Sequence, residues 1–280
     1  MKFHNNKVMY ISEVTLNARD LSIMREFYTN IMGMRVIDEN ENQVSLGVKD
    51  KVLLRLINLK EGLKSHNTSG LYHIAYLLPS RSDLGAFLRH LAENSIAIGA
   101  GDHHVSEALY FDDPEGNGIE VYADRDYNLW NWINDEVSMS TDPVDFNSLL
   151  DSAKHEWTGM PEQSVIGHVH LSVIDIDANH KFYVDTLRFE LVSKFGEQAE
   201  FVSDAKYHHH IAFNTWNRVV TVNPESNNLG IASFLIHIES EKKRDKIVQR
   251  LKDNGYSVTI KDDKFITKDP SNTRIVLTIK

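Results

Sequence analysis

Polar and apolar positions along this chain alternate in two periods, and the order in which the periods follow one another repeats. In "ISEVTLNARDLSIMREFYTNIMGM" (residues 11–34) a strand-like run leads to Asp20 and then to an amphipathic helix pattern ending near a glycine. "IGHVHLSVIDIDANHKFYVDTLRF" (166–189) has the same order at an offset of 155, so that Ile11, Leu16, Asp20, Phe27 and Tyr28 meet Ile166, Leu171, Asp175, Phe182 and Tyr183. A fainter pair sets "GLYHIAYLLP" (70–79) on "GIASFLIHIE" (230–239), with Leu91 and Asn94 on Leu251 and Asn254. "FDDPEGNGIEVY" (111–122) then meets "TKDPSNTRIVLT" (267–278).

Short alternating runs bounded by Asn, Gly and Asp follow each helix pattern and predict strands and hairpins. They are "NQVSLGV" and "KVLLRLINL", "ALYFDD" and "GIEVYAD", "FELVSKF" and "AEFVSD" with a histidine-rich run, and "YSVTIK", "KFITK" and "RIVLTIK". A repeat of this kind is read before anything else, because it decides the fold. Four strand–helix–strand–strand–strand units are predicted, over 8–60, 70–124, 165–216 and 229–280. Residues 125–164 form a connection too long for a plain loop, with a short helix expected at 145–154. Its Trp130 and Trp132, together with Trp157, are expected to cover a seam between units.

Composition narrows the class. Of 280 residues, 41% are hydrophobic and 25% charged, which suits a globular chain long enough for a large core. The net charge of −10 opposes binding to nucleic acid or to an anionic membrane. The N-terminal stretch lacks the apolar core of a signal peptide, and no apolar run approaches the ~18 residues of a membrane span. There is no cysteine, so disulfides, a thiol nucleophile and thiolate metal ligands are excluded. A cytoplasmic protein with a small-molecule partner is expected, and a homo-oligomer is compatible with it. Any bound metal must be held by His, Asp or Glu.

Three residues then draw attention. His73 in "LYHIA" and His168 in "GHVHL" occupy equivalent places in the first strands of the second and third units. Each could be a satisfied core histidine or a ligand. Glu120 sits mid-strand in "GNGIEVY", where it either points outward at a sheet edge or needs a partner, since an unpaired buried carboxylate is costly. Two imidazoles and one carboxylate are the donor set of a facial triad on non-haem Fe(II). "KYHHHIAFNTW" (206–216) adds three consecutive histidines, either a solvated turn or the start of a buried strand.

"GLYHIAYLLPSRSDLGAFLRHL", "DHHVSEALYFDDPEGNGIEVYADR", "IGHVHLSV" and "YHHHIAFNTW" carry a resemblance over nearly the whole chain. The sequence resembles the vicinal oxygen chelate (glyoxalase/bleomycin resistance/extradiol dioxygenase) superfamily, and within it the four-module catechol 2,3-dioxygenase-like proteins of bacilli and staphylococci. The resemblance implies an α+β fold in which four βαβββ modules form two cupped mixed β-sheet barrels with helices outside. It implies metal ligands at His73, Glu120 and His168, an active-site tyrosine at Tyr110, and an adjacent histidine pair at His208 and His209, with His209 as acid–base group. His103 is expected to assist catalysis, although the register of the family's nearby histidine falls on Gly101. His170, His208 and His210 are expected around the metal or the substrate. The fourth module has Ser233 and Val276 where a second site would need His and Glu, and the first has Glu13 at its ligand position. Pairing the second module with the third would gather the ligands into one cup.

The function implied is an extradiol, catechol 2,3-type dioxygenase, using Fe(II), with Mn(II) as a substitute, to open a catechol-type aromatic diol with O2. Such an enzyme serves aromatic catabolism or quinone detoxification. Two other readings stand beside it: a glyoxalase-like metal-dependent isomerase or thiol transferase, and a non-catalytic drug-binding protein, because a shared fold does not fix chemistry.

Overall fold

The computed structural model describes residues 2–279. Elements follow one another as β1 (Tyr10–Ala18), α1 (Leu21–Asn30), β2 (Arg35–Asn40), β3 (Gln43–Val48), β4 (Lys51–Asn58), β5 (Gly70–Leu77), α2 (Arg81–Glu93), β6 (Gly99–Asp102), β7 (Ser106–Asp112) and β8 (Gly118–Asp124). A small hairpin, β9 (Trp132–Ile133) with β10 (Glu136–Val137), and a short helix, α3 (Phe146–Asp151), occupy the long connection. The second half runs β11 (Val165–Ser172), α4 (Ile176–His180) continuing into a π-helical turn (Lys181–Thr186), β12 (Glu190–Phe195), β13 (Ala199–Ser203), β14 (Ile211–Asn214), β15 (Gly230–His237), α5 (Glu241–Asp253), β16 (Thr259–Lys261), β17 (Lys264–Lys268) and β18 (Arg274–Thr278).

Helix starts are set by side chains that replace missing backbone partners. Asp20 accepts from the amides of Ser22 and Ile23, Asp175 from Ala178, Ser80 from Asp83 and Ser240 from Lys243. Each helix then buries one stripe, such as Leu84, Phe87, Leu88 and Leu91 of α2.

The strands form two eight-stranded sheets. One has the order β16-β17-β18-β15-β1-β4-β3-β2, the other β12-β13-β14-β11-β5-β8-β7-β6. Thus the first and last βαβββ units share one sheet and the two middle units share the other. Each sheet is joined at its centre by an antiparallel pair of first strands, β1 with β15 and β5 with β11. One apolar cluster includes Ile11, Leu16 and Phe234 of the first sheet and Ile74, Val121 and Val169 of the second, together with buried helix residues. A second, smaller cluster of Ala75, Leu77, Ala108, Tyr122, Trp130 and Tyr207 belongs to the opposite face of the middle-unit sheet.

Two matching links tie first unit to second and third to fourth. The Tyr28 hydroxyl in α1 donates to Asp113 at 3.0 Å, and the Tyr183 hydroxyl in the π-helical turn donates to Asp269 at 2.7 Å. Both carboxylates lie in the turn before a module's last strand. Burial raises both above the ordinary carboxylate range, Asp269 to about 6 despite its hydrogen bonds.

The expected seam of tryptophans is only partly found. Trp130 stacks on Phe3 with ring centroids 5.6 Å apart and packs against Tyr207, and Trp132 lies under Lys206. Trp157 instead packs on Phe87 of α2, 4.7 Å between ring centroids, because the connection returns over that helix.

Candidate metal centre

The site is built on the cupped face of the middle-unit sheet. Side chains two apart on a strand share a face, so His73 lies with Ala75, Glu120 with Tyr122, and His168 with His170. In the register, Ala75 of β5 stands between Glu120 of β8 and His168 of β11. Ala75 is fully buried and small, and the two long side chains close over it from either side. His73, one step along β5 on the same face, completes the group.

The three donor atoms converge. His73 Nε2 is 2.9 Å and His168 Nε2 3.1 Å from Glu120 Oε2, and the two imidazole nitrogens are 3.3 Å apart. These side chains form the metal-capable cluster found among the described residues, and all three are buried. Cis positions on a six-coordinate ion with ~2.1 Å bonds lie about 3.0 Å apart, so this spacing fits one face of such an ion. The opposite face would remain open to other ligands. Protonation suits the same use. Burial pushes Glu120 up, but the two imidazoles outweigh it and hold the carboxyl well below its usual range. Burial holds His168 down to about 4 although Glu120 opposes the shift. A carboxylate beside a neutral imidazole is the state that binds metal.

A cavity of about 640 Å³ opens over the trio. His73, His103, Tyr110, Glu120, His168, His170 and His209 all line it. Tyr110 is opposite Glu120 in the β7–β8 ladder. Its hydroxyl is 2.6 Å from His103 Nε2, while His103 Nδ1 donates to the Ser140 carbonyl at 2.7 Å. With Nδ1 donating, His103 Nε2 accepts a hydrogen bond from the Tyr110 hydroxyl. Burial first, and then the Glu120 charge, raise the Tyr110 hydroxyl well above its ordinary value. The His103 ring also fills the space beside Gly101: a Cβ on Gly101 would lie 3.0 Å from His103 Cε1. An imidazole thus reaches that place from two residues along the chain.

The histidine run divides by direction. His209 lines the cavity, its ring centroid 3.9 Å from that of His168. His208 lies behind it, with Nε2 donating to Asp124 at 2.9 Å and Nδ1 2.8 Å from His209 Nδ1. With its Nε2 donating to Asp124, His208 accepts at Nδ1 from His209 Nδ1, which leaves the lone pair on His209 Nε2. His210 does not join the site. Its Nδ1 accepts from the Asp204 amide and its Nε2 donates to the Phe3 carbonyl, so burial holds it neutral, down to about 3. The run precedes β14, and its successive rings turn to different sides instead of alternating across a sheet. The expected placement of His210 around metal or substrate is corrected accordingly. His170 lines the cavity and accepts from Asn214 Nδ2 at 2.8 Å, and burial lowers it well below its usual value.

Several participants escaped the sequence reading. Tyr122 Oη is 3.4 Å from His168 Nδ1 and 2.6 Å from Tyr207 Oη, and Tyr207 in turn donates to Asp124 at 3.2 Å. This chain joins a candidate ligand to the carboxylate that orients His208. Strand alternation from Glu120 through Tyr122 to Asp124 was the available signal. Gly167 makes the chain possible, since a Cβ there would lie 1.8 Å from Tyr122 Oη. His4 Nε2 donates to the Gly167 carbonyl at 3.0 Å, and with Phe3 closes the back of the histidine cluster. In the other sheet the corresponding cup holds Glu13, which accepts from Arg55 Nε at 3.1 Å, while Arg55 also donates to Ser45.

The sequence model of the Glyoxalase/Bleomycin resistance protein/Dioxygenase superfamily matches residues 10–121 and 165–275. The chain belongs to this superfamily. A Bacillus subtilis (strain 168) relative named Catechol-2,3-dioxygenase is 38% identical over 267 residues, covering 93% of this chain and 94% of the relative. A solved structure from Bacillus subtilis subsp. subtilis str. 168, provisionally described as a dioxygenase, has a TM-score of 0.70 at 12% identity, over 98% of this chain and 86% of that one. Glyoxalase I from Zea mays has a TM-score of 0.59 at 15% identity, over 96% and 92%. The two solved structures share the superfamily fold with this chain. No helix among the described residues is long and apolar enough to cross a membrane.

Proposed function

We propose that the protein is an extradiol ring-cleaving dioxygenase that holds divalent iron on His73, Glu120 and His168. Its reaction takes a catechol-type diol and O2, breaks the ring C–C bond beside one hydroxyl-bearing carbon, and keeps both oxygen atoms in a ring-opened semialdehyde. The ring supplies the electrons, so no external reductant is required. The observation that carries the reading is the convergence of three donors from β5, β8 and β11 at the wall of one cavity, at distances of 2.9–3.3 Å. The 38% identical relative named Catechol-2,3-dioxygenase supports it. Bound iron would supply open positions for the diol oxygens and for O2, and a path for electrons between them.

The protein's own residues handle protons and orientation. His209 Nε2 carries the lone pair that accepts a diol proton, and the same nitrogen returns a proton as the product forms. Asp124 and His208 keep that tautomer in place. Tyr110, held by His103, presents its oxygen to a diol hydroxyl. His170, anchored by Asn214, walls the cavity beside His73.

Anaerobic loading with Fe(II) followed by an oxygen-electrode assay over a panel of catechols tests the reading. Oxygen uptake in a 1:1 ratio with diol, together with a ring-opened product, is expected. His73→Ala should lose both iron and uptake. Tightly held zinc with no O2 uptake on any catechol would overturn the proposal in favour of Lewis-acid isomerase chemistry.

A further inference from the structure

The cavity does more than expose the trio. An apolar cavity of ~150 Å³ already accommodates benzene, and about 640 Å³ lies in the range that encloses a drug-sized ligand. A bare catechol would leave most of it unfilled. Away from the candidate ligands the lining mixes apolar side chains, Val105, Phe111, Ile119, Met139 and Phe201, with small hydroxyls such as Ser106 and Thr141.

Its charge is one-sided. Lys194 is the one Lys or Arg side chain on the lining among the described residues. Its Nζ is 2.8 Å from Glu200 Oε1, and the Glu200 side chain is only 5% exposed and also bonded to His180. Asp112 adds a further acid. A carboxylate carried on the ring of a substrate would thus meet no cation without a partner, and would lose its hydration on entry.

Three rings at the mouth point the other way. Tyr72, Phe195 and Trp216 are 42%, 66% and 37% exposed, unusual for large aromatic side chains. They are in mutual reach, with Phe195 and Trp216 centroids 6.2 Å apart and Trp216 and Tyr72 5.7 Å apart. Trp216 and Tyr72 also flank His170, whose ring is 4.9 Å from His73. A run of rings in edge-to-face contact therefore extends from a candidate ligand to the surface.

We infer that the substrate is a catechol carrying a bulky, uncharged, apolar substituent, aryl or long alkyl, which lies along the Tyr72–Trp216–Phe195 run. This rests on the proposed ring-cleaving activity for its diol end and adds the substituent class. Trp216 is then a specificity-determining residue that contacts the substituent and leaves the diol alone.

The test uses iron-loaded protein with catechol, a phenyl-substituted catechol and a dihydroxybenzoate. The phenyl compound should exceed catechol in kcat/KM by about tenfold, the factor of one good aromatic contact, and the dihydroxybenzoate should fall below catechol. Trp216→Ala should raise KM for the phenyl compound alone. In metal-free protein the phenyl compound should quench tryptophan fluorescence in the wild type and much less in Trp216→Ala. Equal turnover of all three diols, preference for the carboxylated one, or a KM increase shared by catechol itself would overturn the inference while leaving ring cleavage standing. Saturable quenching by the phenyl compound, absent with dihydroxybenzoate, in a protein that consumes no O2 would uphold the ligand class and overturn the dioxygenase reading.

Discussion

Asp269 offers a quantitative test of how the units are joined. It is fully buried, and burial raises its carboxyl from an ordinary 3.8 to about 6, against the opposing effect of hydrogen bonds from Tyr183, Thr273 and Ser271. A folded-state value above the unfolded one means that the native chain keeps a proton that the unfolded chain has released. The resulting stability is fully present below the unfolded value and is lost as pH rises through the folded one. The difference of about 2 pH units corresponds to about 3 kcal/mol, of which about 2 kcal/mol should vanish between pH 4.5 and 7.5. Asp269→Asn removes the titration and keeps the shape. Urea unfolding of both proteins across that range should show the wild type losing about 2 kcal/mol relative to the variant as pH rises. Tyr183→Phe deletes a donor that holds the carboxyl down, and should carry the loss to higher pH. Parallel stability curves for wild type and Asp269→Asn would refute the reasoning. So would a wild type that gains on the variant with rising pH, the behaviour of a carboxylate stabilised in its charged form.

Other outcomes follow from the same contacts. Gly167→Ala should displace Tyr122 and His168, because the new Cβ would lie 1.8 Å from Tyr122 Oη, and a fall of ~10–100-fold in metal affinity is expected by equilibrium dialysis. Asp124→Ala removes the acceptor of His208 Nε2 and should lower kcat ~10-fold or more with metal content unchanged. In the metal-free protein its ¹⁵N histidine spectrum should show His208 losing its fixed tautomer. Arg55→Met leaves Glu13 buried without its cation and should cost ~3 kcal/mol in urea unfolding, with most of that recovered by adding Glu13→Gln.

Much of the frame was legible because local chemistry and tertiary structure agree. The capping aspartates Asp20 and Asp175 mark helix starts in sequence and in structure alike. A strand buried on both faces announces itself as a short apolar run between turn residues, as "GIEVYAD" does at β8, where Ile119 to Ala123 are all buried. Two strands left no such trace. β2 ("RVIDEN") and β6 ("GAGD") are sheet-edge strands with largely exposed or small side chains, so pairing and not patterning puts them in place. The grouping of His73 with His168 was readable because a repeat gave the two positions a common frame. The placement of the histidine run was unreadable because it depends on rotamer and direction. Nothing in "HHH" distinguishes His209, which lines the cavity, from His210, whose ring is spent on the Phe3 carbonyl.

The two sheets differ in what their central strands carry. In each, the first strands of two units meet antiparallel at the centre, so a donor on either strand faces the same cup. In the middle-unit sheet those positions hold His73 and His168, and the neighbouring last strand adds Glu120. In the outer-unit sheet the corresponding first-strand residues are Glu13 and Ser233, and the last strand of the final unit offers Val276. A lone buried carboxylate there would be costly, and Arg55 resolves the cost by pairing with it while Ser45 takes a further guanidinium proton. The ion pair occupies in one cup the ground that a cation would hold in the other. The outer cup closes on an internal ion pair, whereas its twin keeps a carboxylate facing two imidazoles and an open cavity. Metal loading should accordingly respond to changes at Glu120 and stay constant in Glu13→Gln, a contrast that metal analysis of the two variants measures directly.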